Sequence, residues 1–476
     1  MATGELVLVA GGTGYVGRHL IPALLTKGVR VRCLARQPER LAVYPWVEQV
    51  EFYQGDVVDR ARLDHALQGV STAFYLVHNM TSGQRYAERD LLGAENFAQA
   101  ASQAGVQHII YLGGLADPQA TIGKHLTSRL QTGEVLRQGH TPVTEFRASI
   151  VIGPGATAFE MIRYITEQFP LLLAPQWASK RVQPIAIENV VDYLLAALES
   201  APGSSRVYEI GGPQGMSFGE TMLAYARLRG LNRRLVALPM LPLPLMANFV
   251  AWLSPVPASM AAPLIESMRG DSVVQDAAAH RDFPNIRLIS YPEAVIAALA
   301  QLAPQHLDPV ILDGVHSPRA FKQAGFLIDQ RQIALDLPAE AVFTAVTRLG
   351  GKRGWLYLDG LWRLRGWLDR LIGGPGMRGR KDADQLEVGD NVDFYTVDAV
   401  DLNRYLRLRA DLKAPGLGWM EWRMVPQEAG GVRLVQMAYF APKGVGGFVY
   451  WYLLAPVHRM VFRGLLLRLG EAARLF

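Results

Sequence analysis

Gly11, Gly14 and Gly17 recur at every third position after the aliphatic run Val7-Leu8-Val9-Ala10. Glycines so spaced, between a strand-like run and an apolar helix, suit a turn that cradles a pyrophosphate. Gly11 permits the tight turn, Gly14 lets the backbone approach a phosphate, and Gly17 lets the helix pack closely. The helix N-terminus adds N–H donors and the positive end of its dipole. Thr13, Tyr15 and Val16 join these glycines as candidates to line a dinucleotide. Leu34-Ala35-Arg36 closes the next strand, where a carboxylate would bind a ribose 2′-hydroxyl. Arg36 instead offers a guanidinium fork to a 2′-phosphate, with Arg40 a helical turn further on. The alternative is a solvated surface arginine. NADP is therefore expected ahead of NAD. Gly55-Asp56-Val57 ends the third strand, and Asp56 reads either as an acceptor for the adenine amino group or as the cap of the next helix.

These residues need a scaffold that alternates strand and helix. Strands are predicted at 5–10, 30–34, 51–54, 72–77, 108–113 and 143–146, with helices at 14–27, 60–67, 87–104 and 126–139. A further helix is predicted at 186–198 and a strand at 207–210. Near-continuous apolar strands separated by helices imply a parallel sheet covered on both faces. The fold expected is α/β, a Rossmann-like doubly wound sheet over residues 1–302. Residues 303–320, rich in Pro, His, Asp and Gly, read as a linker. Residues 321–476 read as an α+β domain: a strand at 325–335, a helix from Pro338 to about Leu349, several short strands, and a closing helix over 453–475.

The 476 residues exceed one ordinary domain, and half of them are hydrophobic. The net charge of +5 is diffuse, and no basic run accompanies a nucleic-acid motif, so nucleic acid is not an expected partner. The single cysteine, Cys33, excludes intrachain disulfides and zinc clusters of cysteines, and reads as inert packing in a strand. No metal is expected. The chain runs straight into a strand with no visible signal peptide, so a cytoplasmic setting is expected. The stretch Leu235–Ile265 carries no charged side chain, but contains Pro239, Pro242, Pro244, Pro255 and Pro257. Proline-broken helices over a hydrophobic pocket are expected there, with peripheral membrane contact as the alternative.

Several segments resemble the NmrA-like, atypical branch of the short-chain dehydrogenase/reductase superfamily. They are the turn Gly11–Gly17, Gly55-Asp56, Phe74–His78, Gly93–Asn96, the stretch from Arg147 to Gly155, and Pro184–Val190. The resemblance implies a Ser that polarises a carbonyl, a Tyr that passes a proton, and a Lys one turn later. This chain departs from all three. Gly113 and Gly114 stand where hydroxyls belong, His125 replaces the Tyr, and Arg129 replaces the Lys. His125 is then a candidate general acid or base, because imidazole titrates near neutrality. The alternative is lost catalysis, with His125 facing solvent or ribose. Arg129 is expected to bind nicotinamide ribose, His78 to line the cofactor site, and Lys124 to lie on the surface.

The second half mixes Trp, Arg and Gly over 350–378. Such a run binds anions or flat ligands, or forms a structural shell of stacked and paired arginines, and the shell is favoured. The whole chain resembles a two-domain bacterial family of unassigned function. Its C-terminal part resembles the START/polyketide-cyclase helix-grip superfamily, which implies a curved antiparallel sheet around a long terminal helix with an apolar cavity between them. The expected function is an NADP-dependent, oxidoreductase-like protein acting on a small hydrophobic molecule. The alternatives are a non-catalytic NADP(H)-responsive binding protein and a peripheral membrane or assembly factor. Substrate and oligomeric state are not read from the sequence.

Overall fold

The computed structural model describes residues 5–37, 44, 46–78, 86–117, 123–200, 203–237, 242–307, 319–382, 385–427 and 430–476. Arg40 and Pro239 lie outside them. The chain forms two compact units, one holding most of residues 1–301 and the other most of 312–476.

The first unit opens with β1 (Leu6–Ala10), α1 (Tyr15–Thr26), β2 (Arg30–Ala35), β3 (Glu51–Gln54), α2 (Arg60–Ala66), β4 (Thr72–Tyr75), α3 (Tyr86–Gln103), β5 (His108–Gly114), α4 (Lys124–Gln138) and β6 (Val143–Ala148). With the strand Arg206–Ile210 they make a seven-stranded sheet, all of whose pairs are parallel. Its order is β3-β2-β1-β4-β5-β6 followed by Arg206–Ile210. The strands are hydrophobic on both faces because helices cover both faces. Val7, Val9 and Cys33 feed one core cluster, while Leu6, Leu8 and Leu34 feed the other. Burial pushes the Cys33 thiol up to about 12, so it packs as an inert apolar group. The sheet order reverses between β1 and β4, which opens a crevice at their carboxyl ends.

Most of the Leu235–Ile265 tract lies in two short helices, Leu243–Leu253 with Pro244 in its first turn and Ala258–Ser267, which runs through Pro263, and Pro255 and Pro257 fall between them. No helix among the described residues is long and apolar enough to cross a membrane.

In the second unit seven strands form an antiparallel sheet. Arg319–Gln323 pairs with Phe326–Leu335, and that strand pairs with Val432–Pro442. Gly416–Pro426, Tyr405–Ala410, Tyr395–Asp401 and Asn391–Val392 then follow in order. A helix of thirty residues, Gly444–Ala473, packs on the sheet, and the buried Gln436 amide donates to the Phe462 carbonyl. Three expectations need correction here. The first strand begins at Arg319, inside the expected linker, because Ala324 and Gly325 both take positive φ and form a tight hairpin turn. Residues Asp359–Leu371 form a helix, not a strand or turn, because Trp362, Gly366 and Asp369 recur at helical spacing on its buried side. The terminal helix starts at Gly444, nine residues before the expected Leu453, and runs through Gly447, where a Cβ would lie 2.5 Å from the Pro415 carbonyl.

Candidate functional site

The glycine turn lies at the carboxyl end of β1. A Cβ on Gly11, whose φ is +91°, would stand 2.8 Å from the Leu76 carbonyl. A Cβ on Gly17 would stand 2.5 Å from the Gly11 carbonyl oxygen and 2.7 Å from Gly12 Cα. Helix and turn are thus in backbone contact, as a phosphate cradle requires. Gly14 is the N-cap of α1 and is exposed, no side chain caps the helix, and no acidic residue occupies its first turn. This donor-rich, uncapped end fits an anionic phosphate. Tyr15 and Val16 pack their side chains against the core, so they can meet a nucleotide through their backbone. Burial raises the Tyr15 phenol, whose oxygen lies where a Cβ on Gly153 would come. Thr13 is partly exposed in the turn.

At the end of β2 the Arg36 side chain is largely exposed, with Nη1 4.0 Å from Asp56 Oδ2. The same oxygen accepts from Arg89 Nη2 at 2.9 Å. Arg89, on α3, was not foreseen, and two guanidinium groups flank one carboxylate here. Asp56 does not cap the next helix, because Asp59 does so, accepting from the Arg62 amide. Val57 is buried against α3, where a Cβ on Gly93 would lie 2.7 Å from its Cγ2.

Beside the turn, the chain leaving β4 carries His78. Its Nδ1 lies 2.9 Å from Asp90 Oδ2, and its Nε2 lies 2.9 Å from His125 Nδ1. Ser128 Oγ donates to the same Asp90 oxygen at 3.1 Å. Asp90, Ser128 and His125 are all buried. His125 is therefore not turned to solvent. An ionised Asp90 only accepts, so His78 presents Nδ1–H to it. The neutral His78 then accepts at Nε2, His125 donates from Nδ1, and the lone pair of His125 Nε2 is left for another group. Burial, reinforced by His78 and Arg129, lowers the His125 imidazole to about 3. Burial also lowers His78, against the pull of Asp90. Both rings are neutral at physiological pH.

Asp90 and Ser128 escaped the sequence reading. One signal for Asp90 existed: it shares a helical face with Ala94, Phe97 and Ala101, an apolar stripe where a carboxylate needs partners. Arg129 turns its guanidinium toward β5, donating to the Leu112 carbonyl and lying 5.6 Å from the Tyr111 ring centre. The glycines of β5 are a steric matter as well. A Cβ on Gly114 would meet Leu126 Cδ2 at 2.8 Å, and one on Gly113 would sit 3.2 Å from the Tyr111 ring.

Residues 3–225 match the NmrA-like family. A (4-alkanoyl-5-oxo-2,5-dihydrofuran-3-yl)methyl phosphate reductase from Streptomyces griseus is 30% identical over 232 residues, 47% of this chain and 74% of its own length. The chain belongs to the NmrA-like family. A ceramide reductase from Caulobacter vibrioides is 27% identical over 241 residues of this NmrA-like protein, 49% of it and 74% of the reductase. A solved nucleoside-diphosphate-sugar epimerase from Staphylococcus aureus covers 61% of the NmrA-like chain and 99% of its own at 16% identity, with a TM-score of 0.49. Residues 324–465 match a family described as a protein of unknown function, DUF2867. The NmrA-like domain is NAD(P)-binding and oxidoreductase-like, and the Gly11–Gly17 cradle is the part of it that fits a dinucleotide.

The second unit holds a cavity of about 180 Å³ between its sheet and two helices, lined by Trp362, Trp419, Phe440, Trp451 and Phe462 among others. Its lining also includes Arg365, His458 and the tyrosines Tyr395, Tyr439 and Tyr450. Trp419 Nε1 and His458 Nδ1 are buried without a hydrogen-bond partner. Burial lowers the His458 imidazole to about 4, which keeps it neutral.

Proposed function

We propose that this protein is an NADP-preferring reductase of a small hydrophobic carbonyl compound, with His125 as the proton carrier. The Asp90–His78–His125 chain beside the glycine turn carries this reading. A bound nicotinamide dinucleotide supplies the hydride. The chain's own residues handle the proton. The pair, neutral at rest, is loaded when one solvent proton turns His78 into an imidazolium balanced by Asp90 and His125 moves its own proton from Nδ1 to Nε2. As His125 gives that proton to the carbonyl oxygen, its Nδ1 takes the Nε2 proton of His78. Both rings end neutral and Asp90 stays ionised. One proton from solvent reloads the pair. His125 thus does the work of a phenol without ever holding a full charge, which suits its depressed basicity. Ser128 holds the Asp90 oxygen that orients His78 and is a positioning residue.

Arg36 and Arg89 support NADP over NAD, because a 2′-phosphate would add anionic oxygens beside two guanidinium groups and one carboxylate. The substrate class rests on the aromatic cavity of the second unit, which suits a flat apolar molecule bearing an oxygen acceptor for Trp419 N–H. The START-like resemblance points the same way, to a unit that holds or delivers such a molecule. Titration with NADPH and NADH, followed by a screen of hydrophobic aldehydes, ketones and quinones for loss of NADPH absorbance, tests the reading. Tight NADPH binding and substrate-dependent consumption are expected. Failure to bind NADPH overturns it. A second reading rests on Gly113 and Gly114, which leave no hydroxyl to polarise a carbonyl: a protein that binds NADPH and never consumes it.

A further inference from the structure

The helix Asp359–Leu371 has an uncommon distribution of side chains. Trp362, Gly366 and Asp369 face inward. Away from them, Leu364, Trp367, Leu368, Leu371 and Ile372 are 50, 57, 44, 64 and 56% exposed. At 100° per residue these five, with Leu361, occupy one continuous arc. The exposed Arg363 and Arg370 border it. The carboxylates of this helix are already engaged. Asp359 pairs with Arg363, and the fully buried Asp369 accepts from the amides of Gly376 and Lys413. The terminal helix continues the pattern, with Val449, Tyr452, Leu453 and Met460 exposed beside Arg459 and Arg463. It has no Asp or Glu between Gly444 and Gly470. Both helices line the aromatic cavity, and Leu361 and Val457 at its wall are themselves part-exposed.

We propose that the C-terminal domain docks on the surface of an anionic bilayer through this arc and the adjoining stripe of the terminal helix. An apolar arc this wide is more than a monomer ordinarily leaves in water. Trp and Tyr beside Leu and Ile suit the headgroup boundary, where an amphipathic ring has both its media. Arg370, Arg459 and Arg463, none of them in an ion pair with a carboxylate among the described residues, suit anionic headgroups. Docked in this way, the domain turns the cavity wall formed by Leu361 and Val457 toward the lipid, the natural source of an apolar ligand. The proposal is independent of the reductase reading.

Flotation of the full chain tests it, with vesicles of phosphatidylglycerol mixed into phosphatidylcholine and with phosphatidylcholine alone. The protein is expected to float with the mixed vesicles, less so at high salt. Trp367→Ser with Leu371→Ser should lower the bound fraction by about tenfold or more, while Trp252→Ser, at an exposed position of the first unit, leaves it unchanged. The conservative Trp367→Phe keeps the fold and should remove most of the tryptophan quenching by brominated lipid. Four results overturn the proposal. The protein stays with neither vesicle; the double variant floats like the parent; Trp252→Ser abolishes flotation; or gel filtration shows the double variant splitting a dimer, which places a second copy on this face.

Discussion

His78 Nε2 and His125 Nδ1 stand 2.9 Å apart, and Asp90 on the far side of His78 fixes which of them carries the proton. The donor order runs from His125 through His78 to the carboxylate. His125 is thereby held in one tautomer, with a lone pair on its outer nitrogen. Forty-seven residues separate the two histidines in sequence, and they meet only because β4 and β5 are neighbours in the sheet.

His125→Gln should leave the NADPH dissociation constant within about twofold while lowering turnover by about 10²–10⁴. Asp90→Asn should lower turnover as well and shift the pH profile, because an amide can no longer dictate the tautomer of His78. Steady-state rates on any substrate found by the screen, beside NADPH titrations of both variants, check this. Full activity of His125→Gln would remove it from the chemistry.

Arg36→Ala should weaken NADPH by about 10- to 100-fold, the worth of a hydrogen bond between charged groups, about 1.5–3 kcal/mol. NADH binding should hardly change. Equal losses for both nucleotides would place the 2′-phosphate elsewhere, with Arg89→Ala the next variant to measure.

Gly17→Ala should abolish nucleotide binding and destabilise the first unit by about 1–3 kcal/mol, since the new methyl meets backbone atoms that cannot move aside. Calorimetric binding and a thermal melt report the two effects separately. A stable variant with normal NADPH affinity would show that α1 can retreat from the turn.

Acid should destabilise the protein early. His125 at about 3, and His108 and His458 at about 4, are all lowered by burial. The unfolded chain takes up these protons near pH 6.5, so between that value and the folded values it binds more of them. Stability is therefore complete above about pH 6.5 and falls with decreasing pH, by up to about 1.4 kcal/mol per pH unit for each group. Melting temperatures should drop between about pH 7 and 5, and His458→Phe should lessen the drop. A flat profile would mean that these rings are hydrated.

Asp369→Ala should cost the second unit about 2–4 kcal/mol, because the Gly376 and Lys413 amides would be left without their acceptor in a buried position. A urea titration measures it. A loss below about 0.5 kcal/mol would indicate that water replaces the carboxylate.

The first unit was largely legible in the sequence, for a local reason. Each strand is an apolar run, each helix has its own periodicity, and the Gly11–Gly17 turn is a property of seven neighbouring residues. At Asp56 the sequence left two roles open, an adenine acceptor or a helix cap, and the structure removes the second because Asp59 caps the helix. The same locality misled over 359–371, where Trp, Arg and Gly obscure a helix whose buried side is only Trp362, Gly366 and Asp369.

The sequence by itself determined a dinucleotide cradle and placed a guanidinium, Arg36, after the second strand; its family resemblance set glycines, His125 and Arg129 where a Ser-Tyr-Lys set is expected. Only the tertiary structure decided what surrounds His125. Asp90, Ser128, His78 and His125 come from three separate segments. Their meaning lies in distances of about 3 Å and in a shared burial that no spacing along the chain encodes. The cavity polar groups and the outward arc on Leu364, Trp367 and Leu371 were decided likewise, since a side chain's exposure depends on which elements pack against it and which do not.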